Sequence, residues 1–237
     1  MKKINILLCD TFPGLLPEYI PSYTSMFTKL FSSVSEDIVF EEFRVLEGHF
    51  PEVLYTDELY LITGCNQSAY APIDWIEQLH EWIRQAVAKQ TKLVGICFGH
   101  QVICRALGGK VERFPGGWGM GIRESEIYDE QMKSFFPNGT MSLLYNHHDQ
   151  VMCIPEGAVC LATSEFCRYD AVRIHNHILT FQGHPEYVPE YEQHLLIHHS
   201  EGEDQGVIEA ALRSIEEKRH MGKEVAQFIW HFFSSAS

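Results

Sequence analysis

Two hydrophobic periods alternate along the chain, and each predicts its own element. Ile4 to Cys9 is a short apolar run that reads as a first buried strand. Pro13, Gly14, Pro17 and Pro21 break the next stretch into a loop, and Tyr23 to Phe31 is expected to be helical. Ile38 to Val45 alternates as a strand, and Leu59 to Thr63 is a third strand closed by Gly64. Trp75, Ile76, Leu79, Ile83, Ala86 and Val87 then fall on one helical face. Asp74 precedes them as the expected N-cap, with Glu77 three residues on. The apolar strand Leu93 to Ile96 leads through Cys97 into a helix expected over His100 to Leu107, stopped by Gly108-Gly109.

Strand and helix in alternation imply parallel β-α-β units with right-handed crossovers, and so an α/β fold. From Lys110 to Gly183 the pattern turns β-rich, with turns at Pro115-Gly116-Gly117 and Pro137-Asn138-Gly139. The end is helical, with one stripe of Val207, Ile208, Ala211, Leu212 and Ile215 and a second of Val225, Phe228, Ile229, Phe232 and Phe233. Both stripes read as core packing. Glu201 to Asp204 reads as a solvated acidic loop. No repeat, low-complexity tract or Gly/Ser-rich linker interrupts the chain, so residues 1–237 are expected to form one domain.

Charge narrows the function classes. Lys plus Arg is 18 and Asp plus Glu is 32, a formal net charge of -14. Nucleic-acid binding needs a basic face, so no nucleic-acid partner is expected, and docking on anionic lipid is disfavoured. No apolar run reaches the roughly 18–20 residues of a membrane span. Asp10 interrupts the N-terminal run too early for a signal peptide. The seven cysteines are scattered without C-x-x-C pairs, which points to a reducing, cytoplasmic location and buried thiols. The pairs His147-His148, His175-x-His177 and His198-His199 lack metal-site spacing, so no metal is expected. His175-Asn176-His177 is expected to be a turn between two strands. Gly117-Trp118-Gly119-Met120-Gly121 does not open a helix after a first strand and reads as a loop; no P-loop is present, and no cofactor is expected.

The segment that carries chemistry is Gly95-Ile96-Cys97-Phe98-Gly99. It is the cysteine form of the strand-to-helix nucleophile elbow. The sharp turn strains the nucleophile's backbone, and side chains two residues either side would collide, so glycines flank it. The thiol then lies at a helix N-terminus, which favours thiolate. The Phe98 N–H is directed at the place where an oxyanion would form. A buried cysteine between two chance glycines would give the same five letters. A thiolate nucleophile also needs a base and an orienter. Gly183-His184-Pro185-Glu186 supplies both after the strand Ile178 to Phe181, with Pro185 stiffening the link.

Gly95-Ile96-Cys97-Phe98-Gly99-His100-Gln101 together with Gly183-His184-Pro185-Glu186 resembles the triad (class I) glutamine amidotransferase family. The resemblance implies a flavodoxin-like, three-layer open sheet, mostly parallel, with helices on both faces and an added antiparallel β segment. It implies Cys97 as nucleophile, His184 as general base and acid, and Glu186 as orienter. By the same likeness Gln101 helps hold the substrate amino acid. Asn146-His147-His148-Asp149 is similar to the family's Ser/Asn-His-Gly-Asp segment, so Asn146, His148 and Asp149 would border the substrate's α-amino and α-carboxylate groups; His148 stands where glycine is usual. The second oxyanion amide is expected from the loop after the third strand, at Gly64 or Cys65. Gly64 matches the family's Gly-Gly-Pro or Gly-Ser-Pro, and Cys65 and Asn66 depart from it.

The implied activity is cleavage of the γ-amide of glutamine or a γ-glutamyl small molecule through a γ-glutamyl thioester. Ser68-Ala69-Tyr70 and Asp74-Trp75-Ile76 are similar to the stand-alone branch that includes the γ-glutamyl peptidases. No ATP-binding synthetase segment is recognisable. Two alternatives remain: a glutaminase subunit supplying ammonia to a separate synthase, and a non-catalytic binding or regulatory protein that keeps the fold. A cysteine hydrolase of the dienelactone type would place its acid before the histidine, whereas Glu186 comes after His184.

Overall fold

The computed structural model describes residues 2–235; Met1, Ala236 and Ser237 lie outside the described residues. The elements run β1 (Lys2–Leu7), α1 (Tyr23–Ser32), β2 (Ile38–Phe43), β3 (Leu59–Ile62), α2 (Asp74–Ala88), β4 (Lys92–Ile96) and α3 (Phe98–Ala106). Next come β5 (Lys110–Arg113), β6 (Gly119–Ile127), α4 (Glu130–Lys133), β7 (Thr140–His147), β8 (Asp149–Cys153), β9 (Val159–Thr163), β10 (Ala171–Ile174) and β11 (Ile178–Phe181). Helices α5 (Pro189–His198), α6 (Gln205–Glu217) and α7 (Gly222–Ser235) complete the order.

Nine strands form one sheet in the order β2-β1-β3-β4-β11-β10-β9-β6-β7. The first five are parallel and the last four join antiparallel, the added segment expected from the sequence. The inner parallel strands β3 and β11 are buried along their whole length, because helices cover both faces of the sheet there. Leu59 and Leu61 of β3 face one core with α1 and α7, while Tyr60 and Ile62 face the other with α2 and α3. Leu179 and Phe181 of β11 face the first core, and Ile178 faces the second. A separate ribbon pairs β5 with β8 antiparallel.

Several local expectations shift. Ile73, not Asp74, takes the N-cap position of α2, and no side chain caps it. Asp74 and Glu77 instead sit in the first helical turn, where the dipole favours carboxylates. The β2 strand stops at Phe43, because Val45 opens a short 3-10 turn. Helix α3 starts at Phe98 rather than His100, since the elbow passes directly into the helix. Only Gly117 and Trp118 of the expected Gly117–Gly121 loop lie outside a strand, because β6 begins at Gly119. Asp204, placed in an acidic loop, caps α6 by accepting from the N–H groups of Gly206 and Val207. His175 to His177 form the β10–β11 turn, as expected, with His175 at φ +54°.

Candidate active site

Cys97 comes directly after β4 and precedes α3, with φ +52° and ψ -102°. That left-handed backbone is costly for a side-chain-bearing residue. It is held from both sides: the Cys97 N–H donates to Phe181 O at 2.9 Å, and its carbonyl accepts from the Gln101 N–H at 3.1 Å. Two glycines make room. A Cβ on Gly95 would stand 2.4 Å from Gly99 O, and one on Gly99 would stand 2.2 Å from Ile62 O. The sulfur thus lies at the N-terminus of α3, where first-turn N–H groups, Phe98 among them, have no intrahelical acceptor.

The β11 strand lies beside β4, with Phe181 paired to Ile96. Neighbouring parallel strands therefore deliver Cys97 and, three residues past Phe181, His184 to the same edge. The His184 N–H donates to Leu144 O at 2.8 Å, which pins the residue to β7. The ring is 2% exposed, and its Nδ1 is 2.8 Å from Glu186 Oε1. Tyr187 stacks on the imidazole at 3.9 Å between centroids. Nε2 is buried and meets no hydrogen-bond criterion with a neighbour, yet Cys97 is close enough to act on the ring charge. Burial alone would lower the His184 pKa; negative charge on Cys97 and Glu186 outweighs it and raises the value to about 10. At Cys9, Cys65, Cys104 and Cys167 burial pushes the thiols up.

Tyr23, which reads in the sequence as an ordinary core residue of α1, belongs to this cluster. Its hydroxyl donates to Glu186 Oε1 at 2.8 Å and accepts from the Gly64 N–H at 3.2 Å. The amide of Gly64, expected as an oxyanion donor, is therefore already engaged. Of the two loop amides considered, that of Cys65 is the one left for the role. Gln182, also missed, directs Nε2 at Cys97 Sγ at 3.7 Å.

Cys97 opens on two connected cavities. One, of about 170 Å³, is polar and includes Ser68, Gln101, Arg113, Asn146, His148 and Asp149. All four expected substrate-binding residues line it. Gln101 reaches it indirectly, since its Nε2 donates to Asp149 O at 2.7 Å. The other, of about 230 Å³, is apolar and aromatic, with Phe12, Leu15, Tyr187, Tyr191, Leu195 and Leu196 in its wall. Cys65, Asn66, Cys97, Trp118 and Asn146 line both. Behind Asn146 lies Glu192, fully buried, within 3.4 and 3.5 Å of the Asn146 Nδ2. Burial raises the Glu192 pKa to about 7 against the pull of the Gly121 N–H, His184 and Asn146. Among the described residues no group of three or more His, Cys, Asp or Glu is arranged to hold a metal ion, and no helix is long and apolar enough to cross a membrane.

Elbow, sheet order and sequence motifs agree with a family assignment. The chain belongs to the class I glutamine amidotransferase family, a family of enzymes; the family model "Glutamine amidotransferase class-I" matches residues 48–200. The chain is 36% identical over 153 residues to gamma-glutamyl peptidase 3 of Arabidopsis thaliana, covering 61% of each chain. It is 34% identical over 180 residues to gamma-glutamyl peptidase 2 of the same organism, covering 73% of each. It thus spans less than two thirds of the first relative's length. In three dimensions it is similar to a glutamine amidotransferase of Thermotoga maritima, with TM-score 0.77, 16% identity and 98% of each chain covered, a likeness of fold.

Proposed function

We propose that this chain hydrolyses γ-glutamyl amides through a Cys97–His184–Glu186 triad, with substrates whose leaving amine is larger than ammonia. The observation that carries the reading is the placement of Cys97, on its strained elbow, between a polar and an apolar cavity. Glutamine would fill the polar side alone. A γ-glutamyl compound with an apolar amine would use both. The relatives named gamma-glutamyl peptidases support the same choice.

The chemistry balances without a cofactor. The Cys97 thiolate attacks the side-chain carbonyl carbon, and the N–H groups of Phe98 and Cys65 hold the oxyanion. The His184 imidazolium gives its proton to the departing amine, and a γ-glutamyl thioester remains. Neutral His184 then takes a proton from water, the hydroxide attacks the thioester, and glutamate leaves as the sulfur regains its negative charge. Glu186 holds Nδ1 throughout, and Tyr23 holds Glu186.

The test is a substrate series without any added protein. The expected order of kcat/KM is γ-glutamylphenylalanine above γ-glutamylglycine above glutamine. Each step should be about tenfold, the size of one well-buried apolar contact. A preference for glutamine, or turnover only after a second protein is added, would instead favour a glutaminase subunit serving a synthase.

The role of Tyr23 gives a narrower expectation. Tyr23→Phe keeps the ring packing and removes one hydrogen bond to a carboxylate. It should lower kcat about tenfold, the scale of one charge-assisted bond, while KM stays within about twofold. An unchanged kcat would remove Tyr23 from the catalytic relay.

A further inference from the structure

A half-buried cation stands in the wall of a groove that the hydrolase chemistry leaves unused. Strand β6 pairs with β7 from Gly119 to Glu126, but with β9 only at Glu126 and Ile127. Upstream of those two residues its second edge meets helix α6 and the segment after β9, and a groove of about 830 Å³ lies there. The Ile122 N–H donates to Ser214 Oγ at 2.9 Å, which ties the strand to α6. Phe114, Phe166, Val207 and Ala210 give the groove apolar walls, and Arg123 is its half-buried cation. The Arg123 guanidinium lies 3.7 Å from the Phe166 ring centroid, and Phe166 meets Phe114 edge to face at 5.0 Å. That stack fixes the guanidinium plane, but it uses none of the five N–H donors. Among the described residues Arg123 makes no ion pair or hydrogen bond, and its Nε is closed off from solvent without a partner. Asp170 acts on its charge, yet Asp170 is fully buried and committed elsewhere: it accepts from Ser125 Oγ and, at 2.6 Å, from the Tyr145 hydroxyl. Burial lowers the Arg123 pKa against the pull of Tyr145, Asp170 and Cys167.

We propose that this groove is a second binding site, for a small apolar monocarboxylate, with the carboxylate on the terminal nitrogens of Arg123 and the apolar body along Phe114, Phe166 and Val207. The planar fork of a guanidinium meets a carboxylate in two parallel hydrogen bonds. The aromatic stack orients that fork before a ligand arrives, so less freedom is lost on binding. Charge around the groove sets the limit of one negative charge. Lys218 is the second cation, while Glu124, Glu165 and Asp204 stand at the exposed rim. A phosphate dianion would face those carboxylates, whereas Arg123 alone balances a monocarboxylate. The site is separate from the triad. Neither Arg123 nor any residue of α6 lines the two cavities at Cys97, and contact between them is limited to the shared wall at Met120.

Calorimetry with 3-phenylpropionate, 3-phenylpropanamide and acetate tests the charge and the apolar body separately. Wild type should bind the phenylpropionate about tenfold more tightly than the uncharged amide, the scale of one charged hydrogen bond. Acetate, which has no apolar body, should bind more weakly than phenylpropionate by about tenfold or more. Arg123→Met keeps a flexible side chain against the Phe166 ring and removes the charge. It should bring phenylpropionate down to the affinity of the amide and leave the amide unchanged. Arg123→Lys should keep part of the gain, since the ammonium retains the charge and loses the fork. Ala210→Trp fills the groove from the exposed face of α6 while Arg123 stays in place, and should abolish binding of both phenyl compounds.

Equal affinity of wild type for the acid and the amide, or phenylpropionate binding that survives Arg123→Met, would overturn the site. Binding that survives Ala210→Trp would put the ligand in another cavity and overturn it as well, as would no phenylpropionate binding up to about 10 mM. Circular dichroism shows whether each variant is folded. Should Arg123→Met fail to fold, Ala210→Trp and the comparison of acid with amide decide the matter. None of these readouts needs turnover, so the site stands or falls independently of the hydrolase reading.

Discussion

Cys97→Ala is expected to abolish cleavage of γ-glutamyl amides, with kcat falling by about 10⁴-fold or more, because no other group can form the acyl intermediate. The substitution removes one sulfur from a side chain that is 6% exposed and leaves the elbow backbone in place. Folding should survive, and circular dichroism and the unfolding midpoint would report it. Cys97→Ser should be nearly as inactive. A serine hydroxyl is a far weaker acid than a thiol and is a poor nucleophile without a base that takes its proton. Mass spectrometry of wild type quenched during turnover should find a γ-glutamyl group on the Cys97 peptide and on no other cysteine. Glu186→Gln should lose less than either, since Gln can still accept from Nδ1 but removes one of the charges that raise the His184 pKa. Retained activity in the alanine variant would end the triad proposal and favour a binding protein that keeps the fold.

Some of this site is written in short stretches of sequence, and some is not. The elbow is legible because its constraint is local: Gly95 and Gly99 flank Cys97 within five residues, and the reason lies in backbone geometry. His184 and Glu186 are legible because they are two residues apart and come just after a strand. Their approach to Cys97 depends on sheet order, with β11 beside β4, which no local pattern dictates. Tyr23 lies 163 residues from Glu186, and its spacing fits a core position of an amphipathic helix. Nothing near it in the chain marks its hydroxyl. Arg113 is one cation in a short, mostly exposed strand, and only the register of the β5–β8 ribbon sets it opposite Asp149. The apolar cavity takes its walls from the loop before α1, the segment after His184 and helix α5, whose residues carry no local pattern that sets them apart from their neighbours. The misplaced cap at Asp74 has a different origin. A carboxylate stabilises the first turn of a helix about as naturally as the cap itself, so the residue type fits both positions.

Gly99→Ala is expected to be strongly destabilising for the addition of a single methyl group. The new Cβ would stand 2.2 Å from Ile62 O and 2.9 Å from Ile62 C, atoms of the β3 backbone rather than of a side chain that could swing aside. Neither partner can yield cheaply. Strand β3 is paired on both sides, with β1 and with β4. Helix α3 is fixed at its start by the Cys97 elbow, and Phe98 to Cys104 are buried throughout. Relief requires the helix to lift off the sheet, opening the core that holds Phe98, Val102 and Ile103. The loss should be on the order of 3 kcal/mol, the upper end for overpacking, or the variant should fail to fold. Gly108→Ala provides the control. Gly108 has φ +94° with nothing within 4 Å of its added Cβ, so the cost there is backbone strain alone, about 1–2 kcal/mol. Urea unfolding of the two variants beside wild type separates the causes. The same displacement moves the Phe98 N–H and the sulfur, so any folded Gly99→Ala protein should also alkylate at Cys97 more slowly. A Gly99→Ala protein as stable as wild type would mean that β3 and α3 pack more loosely than the 2.2 Å approach implies, and the strained elbow would lose its support.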